Sequence, residues 1–162
     1  MPASILASIP AWVPAVLLGL LALGWRLSRA RTVRPAVPVA IAVAMFAFSL
    51  YGVASAFGVD ALALLIWVKA YTLAAFGGAR LVSPAGMARV GALVRVPGSW
   101  WPMALLVSIF VAKFVLGFAA GVHAPVLHDP VFVLAMSALL GLLSGGFGAR
   151  AVAVHRFARG AA

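Results

Sequence analysis

Two lysines, Lys69 and Lys113, each stand near the middle of a long apolar run. Lys69 follows Asp60 by nine residues and precedes Arg80 by eleven; Lys113 follows Trp101 by twelve and precedes His123 by ten. If each run is a helix rising about 1.5 Å per residue, both ammoniums fall near the midplane of a bilayer. A lysine there costs about 2.5–3.5 kcal/mol on insertion scales. Its stem reaches about 6 Å, short of a half-thickness of about 15 Å. The chain has no Glu, and its two acids, Asp60 and Asp129, lie at the ends of the apolar runs. The ammoniums must therefore be neutral, held by carbonyls and water, or paired with an anion, a lipid headgroup or another protein's carboxylate. Thr72 sits three residues from Lys69 on one helical face and adds a hydroxyl. Lys69, Lys113 and Thr72 are thus the candidate residues for binding an anion or an anionic lipid headgroup. The competing reading is two tolerated cations, each in a small water pocket with local thinning of the bilayer.

The remaining polar residues offer less. His123, His128 and Asp129 put three potential ligands within seven residues, yet match no metal-binding spacing; a pH-sensitive exposed loop is the plainer reading. No metal site is assigned to them. Ser137, Gly141, Ser144, Gly145 and Gly148 line one side of the last apolar run, as do Gly117 and Gly121 in the run before. Small residues at this spacing make helix–helix contacts more readily than pores. There is no nucleophile–base pair, phosphate loop or pair of carboxylates, and no Cys for thiolate chemistry. The expectation is a protein that is not an enzyme and carries no cofactor.

The elements that must position these residues follow from composition. Of 162 residues, 66% are hydrophobic and 9% charged, and mean hydropathy is +1.20. That composition belongs to membrane proteins. The runs predict five transmembrane helices, about 5–25, 36–57, 61–81, 100–121 and 131–152, making residues 1–162 a single all-α, polytopic bundle. Segment 84–96 is less apolar, and Met87, Val90 and Val94 at helical spacing predict a short interfacial helix there.

Charge fixes the orientation. Arg26, Arg29, Arg31 and Arg34, then Arg80, Arg89 and Arg95, then Arg150, Arg156 and Arg159 fall in alternate loops and the tail, while the loops with Asp60 and Asp129 hold no Lys or Arg. The positive-inside rule then predicts N-out and C-in, and Arg outnumbering Lys ten to two, with abundant Ala, points to a GC-rich bacterial gene and hence an inner membrane. The first basic residue, Arg26, follows the first apolar run, so a retained helix is expected rather than a cleaved signal peptide. Basic residues that punctuate apolar runs are topology signals, and the net charge of +10 implies no nucleic acid.

Residues 74–82, AAFGGARLV, resemble residues 144–152, SGGFGARAV. Hairpins 36–81 and 102–152 can be read as parallel repeats, or the likeness as convergent packing. The stretches SLYGVASAFG at 49–58, VPGSWWPMALL at 96–106 and LLSGGFGAR at 142–150 make the whole chain similar to an uncharacterised family of small bacterial integral membrane proteins. That resemblance implies the membrane class and no activity. Two roles remain in view. One is binding or passage of a small anion or anionic headgroup at the lysines. The other is a non-catalytic structural or assembly subunit, with membrane lipids, further copies of the chain or another membrane protein as partners.

Overall fold

Inside a bilayer the backbone must satisfy its own hydrogen bonds, so each long apolar run becomes a helix. In the computed structural model, which describes residues 12–160, these helices are α1 (Trp12–Ser28), α2 (Ala36–Phe57), α3 (Ala61–Leu81), α4 (Trp101–Gly121) and α5 (Pro130–Arg159). Helices α2 to α5 are each long and apolar enough to cross a membrane. By that measure the chain is a multi-pass membrane protein. The described part of α1 has 17 residues; the outer turns expected from Ile5 lie outside the described residues.

Two expectations need correction. Helix α5 continues to Arg159 rather than ending near Val152, and its 30 residues span about 45 Å, well beyond a hydrocarbon core of about 30 Å. Nothing in Ala153–Arg159 breaks a helix, and the stop comes at Gly160, whose φ of 75° suits a left-handed cap. The Arg89 guanidinium donates to the terminal carbonyls of Phe157, at 2.9 Å, and Ala158, where a cation complements the helix dipole.

The second correction concerns segment 84–96, which is not an interfacial helix, so the chain is not purely α. It forms a hairpin of β2 (Ala88–Val90) and β3 (Leu93–Val96), and β1 (Arg31–Val33) joins it in an antiparallel sheet of order β1-β3-β2. Thr32 lies opposite Arg95 and Val90 opposite Leu93. Along β3 the period is two: Val94 and Val96 are buried and Arg95 is exposed. Gly91 takes φ 59° while Ala92 keeps a negative φ, the pattern of a type II′ turn. Met87 and Val94 do reach one apolar cluster, but they do so from a hairpin packed on Val154 and Phe157 of α5.

The sheet ties the basic loops to the basic tail, so the arginine-bearing segments gather at one end of the bundle. At the other end, Asp60 caps α3 by accepting from the Ala63 N–H at 2.7 Å, and Asp129 caps α5 through the Val131 and Phe132 N–H groups.

Helix α5 is the centre of the packing: α2, α3 and α4 all lie against it, and α1 packs on α4. The α3–α5 contact is a backbone approach. A Cβ on Gly141 would lie 2.5 Å from the Trp67 carbonyl, and one on Gly145 would lie 2.6 Å from that of Tyr71. Gly148 meets Ala75, and Gly78 meets Ala149. The two similar stretches, 74–82 and 144–152, thus lie against each other, which accounts for small residues in both. Residues Leu73–Gly77 of α3 form a π turn. The extra residue slips the contact face by one position, so that Ala75 and Ala79 are buried where Trp67 and Ala63 are buried above. Gly117 and Gly121, by contrast, would have nothing within 4 Å of an added Cβ among the described residues, so these two glycines of GFAAG mark no close helix approach, although Ala119 between them is buried.

Candidate functional site

Lys113 leaves α4 and crosses to α2. Its Nζ donates to the Phe48 carbonyl at 3.1 Å and lies 4.4 Å from the centroid of the Phe48 ring. The space it occupies exists because residue 52 is glycine: a Cβ there would collide with the ammonium. A carbonyl dipole and a ring face thus take over part of the solvation that water would supply.

Lys69 has a different setting. It is exposed on α3, in line with the exposed side chains of Leu62, Leu65, Leu73 and Phe76. Thr72 is exposed beside it, and its hydroxyl donates to the Val68 carbonyl of the same helix at 2.8 Å. The helices carrying the two lysines, α3 and α4, are not one of the closely packed pairs; both lie on α5. The structure therefore brings Lys69 and Thr72 onto one face and leaves Lys113 apart, against α2.

A polar group that sequence reasoning passed over sits in the core. The Trp67 indole N–H donates to the Ser49 hydroxyl at 2.9 Å, which donates to the Leu140 carbonyl at 3.1 Å. Ser144 donates to that same carbonyl at 2.7 Å. One chain of hydrogen bonds thus joins α2, α3 and α5 at a place where no water is expected to compete. Ser137, one turn earlier on α5, is fully buried and its hydroxyl has no partner among the described residues. The stripe Ser137–Gly148 lies inside the bundle as a packing face.

His123, His128 and Asp129 do not converge. His123 takes φ 51° where α4 ends, and the Asp129 carboxylate is engaged in capping α5. Among the described residues no group of three such side chains is placed to hold a metal ion.

The full chain, residues 1–162, matches a family described as a family of unknown function (DUF6622). The chain belongs to that family. No curated protein and no solved structure matches it. The function of the family is unknown, so what this DUF6622 chain can do has to be argued from its own side chains.

Two clefts lie at the arginine end, away from both lysines. Arg31 and Arg150 face a cleft of about 290 Å³ beside Leu27, Ile41, Pro102 and Phe147. Arg150 donates to the Pro97 carbonyl at 3.2 Å, which ties α5 to the turn before α4. Burial lowers the pKa of Arg31 from its ordinary value. Arg80 and Arg156 face a second, wider cleft of about 550 Å³ between the C-terminal ends of α3 and α5. No sequence motif marks either pair; each is made by segments that are remote along the chain.

Proposed function

We propose that this protein is a non-catalytic assembly subunit of the bacterial inner membrane, with five crossings, N-out and C-in, whose α3 face receives an acidic membrane partner. The observation that carries this reading is Lys69, an exposed ammonium within an apolar helix face. A cation at that depth is costly without a counter-charge. A second copy of the chain cannot supply one, because its only acids are Asp60 and Asp129 at the far ends of the helices. Leu62, Leu65, Lys69, Leu73 and Phe76 follow near-heptad spacing, the seam that a neighbouring helix packs into. A partner helix with one mid-membrane carboxylate matches both the seam and the charge.

The five-crossing arrangement draws on the segregation of charge. Reporters after residues 31, 90 and 158 should read cytoplasmic, and those at 59 and 126 periplasmic; one on the wrong side removes the arrangement.

The docking role is tested by placing a photocrosslinking residue at Leu65 or Leu73 in native membranes. The expected result is one discrete adduct with a different membrane protein that carries an acid in its span, lost in Lys69→Met. Adducts with lipid or self alone would overturn the role. The second reading, an anion or headgroup held at Lys69 with Thr72, rests on the same exposed cation. It predicts that wild type, and not Lys69→Met, gains melting temperature with particular anions or acidic lipids. Lys113 lends it less, since its ammonium already has a carbonyl and a ring.

A further inference from the structure

The cleft between the inner ends of α3 and α5 is lined by two cations, Arg80 and Arg156, over a floor of Ala79, Val82, Met87 and Ala153. Arg80 lies 19 residues after the start of α3, about 28 Å along the helix axis, and Arg156 lies 26 after the start of α5, about 39 Å along. With the aspartate caps at the outer surface, these depths fall at the inner boundary of the hydrocarbon core and in the headgroup layer beyond it. Neither guanidinium has a hydrogen bond or an ion pair among the described residues, and both acids are at the opposite end of the bundle.

The neighbouring arginine cleft supplies a contrast. It is about half the volume, and Arg150 there is already engaged with the Pro97 carbonyl. In the wider cleft the guanidinium donors are free, and guanidinium matches phosphate oxygens in geometry and charge. Above the cleft, toward the membrane, α3 exposes Phe76 and Leu73, an apolar track along which acyl chains can lie. A free anion has no use for such a track; a phospholipid does.

We propose that the Arg80–Arg156 cleft binds the phosphate of an anionic phospholipid of the inner leaflet, with its acyl chains along the outer face of α3. The track shares Leu73 and Phe76 with the Lys69 seam, so a lipid and a partner helix would compete for that stretch, while variants of the two arginines test the headgroup site alone. Basic recesses between helices at the cytoplasmic surface recognise headgroups in this way, and each arginine removed there weakens binding by about fivefold.

The test is native mass spectrometry of the purified full chain with added phosphatidylglycerol, phosphatidylcholine or inorganic phosphate. Wild type should retain phosphatidylglycerol at least about tenfold better than phosphatidylcholine. R80Q/R156Q should lose that preference while keeping its melting temperature in phosphatidylcholine vesicles, because both side chains are exposed. R26Q/R34Q, an equal loss of charge outside the cleft, should keep the preference, and R80K/R156K should keep part of it. The proposal is overturned if R80Q/R156Q retains phosphatidylglycerol as wild type does. It is also overturned if R26Q/R34Q loses the preference equally, or if inorganic phosphate occupies the cleft with no preference between the two lipids.

Discussion

The Lys113 ammonium lies over the bare α-carbon of Gly52, one helix away, 3.1 Å from the Phe48 carbonyl. Gly52→Ala must push the ammonium off that carbonyl and should destabilise the protein. In a Lys113→Ala background the same change has nothing to displace. A double-mutant cycle read by reversible unfolding in bicelles should therefore give a coupling of about 1 kcal/mol or more. Additive effects would mean that the seat contributes nothing.

The glycines divide into two classes. Gly145→Ala drives a methyl against the Tyr71 carbonyl and Ala74 and should cost about 1–3 kcal/mol by overpacking. Gly117→Ala enters open space and should be neutral or stabilise α4 by up to about 1 kcal/mol. Thermal melts of the two variants side by side decide it. Equal losses would refute the close α3–α5 approach.

Ser49→Ala removes the acceptor of the Trp67 indole and one donor to the Leu140 carbonyl. The expected loss is about 0.6–1.7 kcal/mol, the range of hydrogen bonds between membrane helices. In Trp67→Phe the Ser49→Ala change should cost less, since no indole N–H remains to be stranded. An unchanged cost would show that the indole bond adds nothing.

How much of this was legible in the residues depends on the range of the interaction. The apolar runs gave helices α2 to α4 to within a residue or so, because local hydropathy and the capping Asp60 act within one segment. Packing, not a pore, was the plainer reading of Ser137–Gly148, and the stripe does lie against its neighbours. Segment 84–96 reads as a helix because Met87, Val90 and Val94 have helical spacing, whereas Val90 is exposed and of its strands only β3 shows a strand period, with Val94 and Val96 buried. The deciding strand, Arg31–Val33, lies more than fifty residues away. A like distance hid the seat of Lys113 and both arginine pairs, and the Trp67–Ser49 bond, 18 residues apart, still crosses from one helix to another. A spacing rule along one helix cannot announce a partner on another.

That remote strand also constrains how the chain is built. β3 is the central strand, and β1 has no other neighbour in the sheet. A chain emerging from its N-terminus therefore makes Arg31–Val33 long before Leu93–Val96, with α2 and α3 to be inserted in between. Until then β1 has no strand to pair with, and nothing in the sheet holds the connection from α1 to α2. Pairing arrives only as α4 is about to be made, and it closes a loop of some sixty residues in one step. The small sheet thus works as a late clasp on a bundle whose early helices enter the membrane before anything fastens them.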